Sequence, residues 1–127
     1  MKVVLDTSVL LGPDLGFIDA EIGISMMSLA ELHLGVLRAR TPDVRAERLR
    51  RLALIEKTFD AHPVDDAVAR EYGRLAAAVS LAGRQPRARV ADLLIAATAV
   101  SQHATLWTRN AKDLMGLESL VDIHQPA

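Results

Sequence analysis

An apolar run that ends in a carboxylate near the start of the chain is the feature that most constrains the fold. Val3, Val4 and Leu5 are consecutive apolar residues, two of them β-branched, and Asp6 follows them directly. A short run of this kind is typical of a strand that is buried on both faces, as in a parallel sheet. In open α/β sheets, ligands bind at the carboxyl ends of the strands. Asp6 is therefore either a helix cap or part of a site.

The composition fits one domain, 1–127, with an aliphatic core. Hydrophobic residues make up 50% of the chain and aromatic residues only 3%, so leucine, valine, isoleucine and alanine must build the core. The absence of cysteine excludes a disulfide scaffold, thiol catalysis and cysteine-ligated zinc, and it suits the cytoplasm, where we expect the protein. No apolar stretch approaches the roughly 18 residues that span a membrane. Lys2, followed at once by a strand, does not resemble a signal peptide.

Alternating strand and helix patterns predict a three-layer α/β/α sandwich with a central, mostly parallel sheet of about five strands. The predicted strands are 2–6, 22–27, 62–64, 104–108 and 120–123. The predicted long helices are 28–39, 43–59, 65–81 and 90–102, with short helices within 10–21 and at 110–114. The helix at 90–102 is apolar almost all round, which predicts burial on most of its sides.

Acidic residues occur at four predicted strand ends or helix starts: Asp6, Glu31, Asp92 and Asp113. Besides the possible helix cap at Asp6, the other three acids each have a structural alternative. Ser28 and Glu31 form a capping-box pattern, and Asn110 is a plausible cap with Asp113 three residues on. The helix dipole favours Asp92, but by only about 0.3–1 kcal/mol at an exposed site, which is too little for a charge in so apolar a segment.

If these acids converge, their mutual repulsion must be compensated. Two like charges about 4 Å apart repel by roughly 4 kcal/mol at an effective dielectric constant of 20. Either some of the carboxyl pKa values rise, or a divalent cation neutralises the cluster. Oxygen ligands without cysteine suit Mg²⁺ or Mn²⁺, so convergence would predict a site for one of these ions.

Basic residues flank two of the acids: Arg84, Arg87, Arg89, Arg109 and Lys112. The net charge of −1 gives the whole chain no attraction to nucleic acid, so the placement of these residues matters more than the total. Each could be an ordinary solvated loop charge, but proximity to an acidic cluster favours phosphate contact. Trp107 could stack on a base, although core or interface packing suits it better. The four histidines show no metal-ligand spacing.

Four stretches of the chain resemble the motifs of one family: VLDTSVL at 4–10, SLAEL at 28–32, DLLIAA at 92–97 and TRNAKDL at 108–114. These are similar to the motifs of the PIN-domain ribonucleases, and their order and the chain length resemble the VapC toxins of toxin–antitoxin pairs. The resemblance implies Mg²⁺- or Mn²⁺-dependent endonucleolytic cleavage of RNA. It implies that Asp6, Glu31, Asp92 and Asp113 hold one or two ions, and that other residues support them or orient the substrate: Thr7, Ser8, Thr108 and Asn110.

The chain departs from the family pattern at two places. Leu114 stands where phenylalanine is usual, which affects packing more than chemistry. The segment before Glu31 is short and contains glycine and proline, so the first helix of the family is expected to be truncated here.

The resemblance also implies partners, namely a second copy of the chain in a homodimer and an antitoxin that inserts a segment into a groove near the site. The apolar stripes on the helices at 28–39 and 43–59 fit such contacts, and they equally fit simple core packing. A haloacid-dehalogenase phosphatase is disfavoured because Ser8 stands where its second aspartate should be. A receiver domain is disfavoured because paired acids are missing after the first strand. A non-catalytic PIN-like module that binds RNA or protein is the main alternative.

Overall fold

The computed structural model describes residues 1–127 and contains a central sheet of five parallel strands. The strands are β1 (Lys2–Leu5), β2 (Glu21–Ser25), β3 (Asp60–His62), β4 (Thr105–Trp107) and β5 (Ile123–His124). Their order across the sheet is β3-β2-β1-β4-β5, and every neighbouring pair is parallel. The predicted central sheet of about five strands is confirmed.

Helices cover both faces of the sheet. They are α1 (Thr7–Leu10), α2 (Met26–Leu37), α3 (Pro42–Thr58), α4 (Asp66–Leu81) and α5 (Val90–Ser101), with 3₁₀ turns at Pro86–Arg89 and Ala111–Leu114. Side chains of β1 alternate between the two faces, as strand geometry requires. Val4 packs in one core with α4 and α5, whereas Val3 and Leu5 pack in the other with α2 and α3. The predicted α/β/α sandwich is therefore confirmed.

The apolar helix α5 is the most buried helix of the protein. Leu93 and every residue from Ile95 to Ala99 are buried, and α5 packs along α4 as well as against the sheet. A helix with apolar residues on nearly all sides has no face that favours water, so the burial predicted from its sequence is confirmed. No helix in the structure combines the length and the apolar character needed to cross a membrane.

Two sequence predictions about the segment between β1 and α2 are wrong. The short helix expected within 10–21 is absent, and the one helical turn in this region, α1, instead begins at Thr7 directly after Asp6. Gly12, Pro13 and Gly16 keep the chain after α1 from continuing as a helix. The helix expected to begin at Ser28 begins at Met26, and its cap is Ser25, whose Oγ accepts a hydrogen bond from the Met27 amide at 3.0 Å.

Smaller differences concern the ends of the edge strands. β3 lies at 60–62 rather than 62–64, and β5 is confined to 123–124. The central strand β1 has neighbours on both sides, because the chain proceeds from β1 to β2 on one side and reaches β4 on the other only after α5. The strand order reverses between β1 and β4, which makes their carboxyl ends the favoured place for a ligand in an open α/β sheet.

Candidate functional site

The carboxyl ends of the two central strands hold the first pair of predicted site residues. Asp6 follows β1 and Thr108 follows β4, and these strands pair with Leu5 opposite Trp107. The Asp6 amide donates a hydrogen bond of 2.9 Å to the Trp107 carbonyl, which fixes the two strand ends against each other. The sheet register therefore sets the position of Asp6 before any side chain makes a contact.

Three of the four predicted acids line one small cavity at this position. Asp6, Asp92 and Asp113 surround it, together with Thr108 and Asn110 and the apolar side chains Ile95, Leu106 and Leu114. Its volume is about 10 Å³, which is room for about one water molecule. The first turn of α5 brings Asp92 to this space, and the 3₁₀ turn after β4 brings Asp113. The structure thus brings together acids from three separate segments.

Two hydroxyl groups hold the Asp6 carboxylate. Thr108 Oγ1 donates to Asp6 Oδ2 at 2.5 Å, and Ser8 Oγ donates to the same oxygen at 3.1 Å. Backbone amides hold the hydroxyls in turn, because the amide of Arg109 donates to Ser8 Oγ and that of Asn110 donates to Thr108 Oγ1, both at 3.0 Å. One oxygen of Asp6 is thereby fixed, and the other carries no hydrogen bond from the protein.

Glu31 lies at the edge of the site rather than in the wall of the cavity. The predicted capping box with Ser28 is wrong, because Ser25 caps α2 and Glu31 stands one turn further along the helix. Glu31 Oε1 instead accepts a hydrogen bond of 2.6 Å from Thr7 Oγ1. The glutamate that the sequence placed at a helix cap is thus tied to the residue after Asp6.

Burial and electrostatic repulsion among the acids raise the pKa of Asp92. Burial raises the pKa of this half-buried carboxyl, and the negative charges of Asp6, Asp113 and Glu31 raise it further. The guanidinium of Arg89 opposes the rise in the pKa of Asp92 and lies 3.7 Å from Asp113 Oδ1. Because one arginine faces four carboxyl groups, the site has an excess of negative charge that a cation would relieve.

The chemistry of these groups fits a hard divalent cation. All the polar side chains that line the cavity offer oxygen, which Mg²⁺ and Mn²⁺ prefer. In the positions that the side chains occupy here, no three acidic or histidine residues are already arranged to hold an ion. Binding would therefore require the carboxylates to close in on the ion, and the space of about 10 Å³ between them leaves room for one.

The five basic residues predicted to contact RNA lie around the site in different ways. Arg89 donates to the Asp113 carbonyl at 2.7 Å and Arg84 to the Met115 carbonyl at 3.2 Å, so both join the segment before α5 to the 3₁₀ turn after β4. Arg87 and Lys112 are exposed. The Arg109 side chain points away from the cavity, towards the Pro13 carbonyl at 3.4 Å. Phosphate contact stays a prediction for all five.

Trp107 packs as the sequence favoured. It is half-buried against the core on the α2 and α3 side of the sheet, and its ring stacks at a tilt on that of His124, with centroids 4.6 Å apart.

Ser28 lies near the site, although the sequence predicted it only as a helix cap and not as a site residue. It is fully buried, and its hydroxyl lies 3.1 Å from Thr7 Oγ1. The signal that could have found it was its position three residues before Glu31, which places both side chains on one helix face.

Comparisons with known proteins agree on one family. The PIN domain family matches residues 3–114. Ribonuclease VapC5 of Mycobacterium tuberculosis is 39% identical over 115 residues, which cover 84% of this chain and 82% of that protein. Ribonuclease VapC4 of the same organism is 34% identical over 116 residues, covering 86% of each chain.

Solved structures give the same result for the fold. The crystal structure of VapBC-5 from Mycobacterium tuberculosis, a member of the VapBC family of toxin–antitoxin systems, matches with a TM-score of 0.83 at 34% identity, covering 98% of this chain and 96% of that one. VapBC2 from Rickettsia felis, solved bound to a DNA fragment from its promoter, matches with a TM-score of 0.83 over the full length of both chains. At 24% identity, this second likeness shows the fold alone.

Proposed function

Because this chain belongs to the PIN-domain family, and within it to the VapC ribonucleases, we propose that it is the toxin of a toxin–antitoxin pair and cleaves RNA as a metal-dependent endoribonuclease. The observation that carries the proposal is the meeting of Asp6, Asp92 and Asp113 around one cavity at the strand ends. Three ionisable carboxyls around so small a space repel one another, and a structural role would not require that cost.

Asp6, Asp92 and Asp113 would hold Mg²⁺ or Mn²⁺, with Glu31 closing the set from α2. Such an ion would lower the pKa of a bound water and offset charge on a phosphodiester, and both effects favour phosphodiester hydrolysis. The protein's part is to hold the carboxylates in place through Thr7, Ser8 and Thr108. Arg89 stays beside Asp113 and limits repulsion before the ion arrives. Asn110 lines the cavity and would orient the substrate.

RNA would reach this acidic site along its basic rim. Arg87 and Lys112 are exposed next to the segments that carry Asp92 and Asp113, so their charges are available to phosphates. Arg84 and Arg89 use some of their donors on backbone carbonyls and keep others for the ligand. Arg109 would act at longer range. Since the chain as a whole carries a net charge of −1, this local arrangement must supply the attraction.

The antitoxin and the second copy of the chain would use apolar surface. A groove of about 520 Å³ lies between the segment after α1 and helix α3, and most of its lining is apolar. Phe17 at its edge is 90% exposed and Leu54 is 64% exposed. A contiguous apolar surface, such as the lining of this groove, is typical of a site of protein contact. An arginine from an antitoxin would also relieve the excess negative charge of the acids.

Cleavage of RNA by purified protein, free of any partner, tests the proposal. We expect cleavage with Mg²⁺ or Mn²⁺, none with EDTA, and loss of activity in Asp6→Ala and Asp92→Ala. Asp66→Ala is a suitable control, because Asp66 is an exposed acid at the start of α4 and lines neither the cavity nor the groove. Undiminished cleavage by Asp92→Ala would refute the assigned site, and cleavage that persists in EDTA would refute metal dependence.

A non-catalytic module is the second candidate. The observation in its favour is that no three acidic or histidine side chains stand ready to hold an ion. Titration calorimetry with Mn²⁺ separates the two candidates, because the nuclease must bind the ion and the module need not. RNA binding without Mn²⁺ binding or cleavage would favour the module.

A further inference from the structure

Ser28 has a chemical role that its position in α2 does not require. It lies inside the helix rather than at the cap, and it has no exposed surface. A buried hydroxyl must find a partner, since leaving it unpaired is costly. The side-chain atom within hydrogen-bond distance of Ser28 Oγ is Thr7 Oγ1, at 3.1 Å.

The direction of this hydrogen bond follows from counting hydrogens. Thr7 has a single hydroxyl hydrogen, and an ionised carboxylate can only accept. The contact of 2.6 Å from Thr7 Oγ1 to Glu31 Oε1 therefore takes that hydrogen, because a bond to a charged acceptor is shorter and stronger than one between two hydroxyls. The heavy-atom angles alone favour Thr7 as the donor in both contacts, but Thr7 has only one hydrogen to give, so Ser28 must donate in the contact of 3.1 Å. The result is a directed chain in which Ser28 donates to Thr7 and Thr7 donates to Glu31.

From this chain we infer that Ser28 is a positioning residue, which acts through Thr7 to hold one oxygen of Glu31 and leave the other for the cation. The inference rests on the proposed function. Hydrogen bonds in series polarise one another, so the Ser28 hydroxyl strengthens the bond from Thr7 to the carboxylate. Ser8 and Thr108 likewise hold a single oxygen of Asp6, in this case by two direct hydrogen bonds. Asp6 and Glu31 are thus both held by neutral hydroxyls, which add no charge to the site.

Manganese titration calorimetry of single and double variants tests this role. Ser28→Ala removes one hydroxyl and suits a helix, and we expect it to weaken Mn²⁺ binding about five-fold, the value of one neutral hydrogen bond. Thr7→Val should weaken binding more, and adding Ser28→Ala to it should cause no further loss. Ser101→Ala is the matched control, because Ser101 is a half-buried hydroxyl residue of α5 that donates to the Thr98 carbonyl of its own helix. Unchanged affinity in Ser28→Ala, or the same five-fold loss in the Thr7→Val background, would overturn the inference.

A second measurement does not depend on metal. In EDTA, Thr7→Val leaves the Ser28 hydroxyl buried without a partner, so adding Ser28→Ala should recover stability and lower the unfolding constant about five-fold. A double variant that is less stable than Thr7→Val would contradict the hydrogen-bond chain. Wild-type protein that binds no Mn²⁺ would refute the proposed function. The unfolding measurement would still decide whether Ser28 donates a hydrogen bond to Thr7.

Discussion

Replacing Asp92 by asparagine should stabilise the metal-free protein, although it removes a proposed metal ligand. Burial and the charges of Asp6, Asp113 and Glu31 raise the pKa of the Asp92 carboxyl, which means that the folded state disfavours its ionised form. Asparagine has nearly the same shape and carries no charge. The substitution therefore removes the repulsion and keeps the packing.

The size of the effect follows from the cavity. Carboxylates on opposite sides of a space for one water lie about 6 Å apart, and at an effective dielectric constant of 20 such a pair repels by about 3 kcal/mol. Asp92 is half-buried, so solvent screening and the nearby Arg89 reduce this, and we expect a net gain of about 1–2 kcal/mol. For 127 residues, that gain corresponds to a rise in Tm of about 4–8 °C.

The stabilisation expected from Asp92→Asn depends on pH. A carboxyl whose folded pKa is raised carries no penalty below its unfolded value, here 3.8, and carries the full penalty above its folded value. The advantage of Asp92→Asn over wild type should therefore be absent at acid pH and complete at pH 8. Calorimetric melting of both proteins in EDTA across this range measures it.

Asp66→Asn is the matched control for this experiment. Asp66 is exposed, and its hydrogen bond and charge interaction with Arg70 lower its pKa, so its replacement should bring no gain. Saturating Mn²⁺ should reverse the order of wild type and Asp92→Asn, since at 100 times Kd the ion adds about 2.7 kcal/mol to the protein that binds it. An Asp92→Asn protein that melts at or below the wild-type temperature in EDTA at pH 8 would refute the conclusion that the charges of the neighbouring acids destabilise the ionised form of Asp92.

Three further substitutions test separate parts of the structure. Thr108→Val should weaken Mn²⁺ binding about 10–100-fold by calorimetry, because Asp6 loses its shortest hydrogen bond; unchanged affinity would contradict that support. Gly12→Ala should lower the free energy of unfolding, measured in urea, by about 1–3 kcal/mol, since its Cβ would lie 2.5 Å from Arg109 Nε. A neutral effect would show that the Arg109 side chain or the loop moves aside without cost. His103→Gly should raise stability by about 1 kcal/mol, because His103 has a φ of 53° after α5; a loss would show that its side chain makes a contact worth more than the strain.

The sequence was enough to predict the sheet and the acids that meet at its edge. Apolar runs such as Val3–Leu5 identify buried parallel strands, and parallel strands bring their carboxyl ends to one side. Asp6, Asp92 and Asp113 could therefore be predicted to converge without knowledge of any side-chain contact. The nearly all-apolar sequence of α5 likewise determined its burial.

The start of α2 and the links between side chains could not be predicted in this way. Ser25 and Ser28 are both good caps, and the apolar residues Met26 and Met27 continue the strand pattern as well as they begin a helix. Pairing of β2 with β1 extends to Ile24 and pairing with β3 extends to Ser25, and these long-range contacts decide where the strand ends. The direction of the Arg109 side chain, which the sequence assigned to RNA, also depends on a distant loop.

The reversal of strand order between β1 and β4 has a consequence for synthesis of the protein. Asp6 is made 102 residues before Thr108, which holds it and follows a strand that can pair with β1 only after the chain of α5 has been made. A nascent chain that has not yet extended through Asp113 carries a sheet with one half missing and has no complete set of acids. The nuclease activity proposed above would therefore be absent until the chain has extended through Asp113 and β4 has paired with β1.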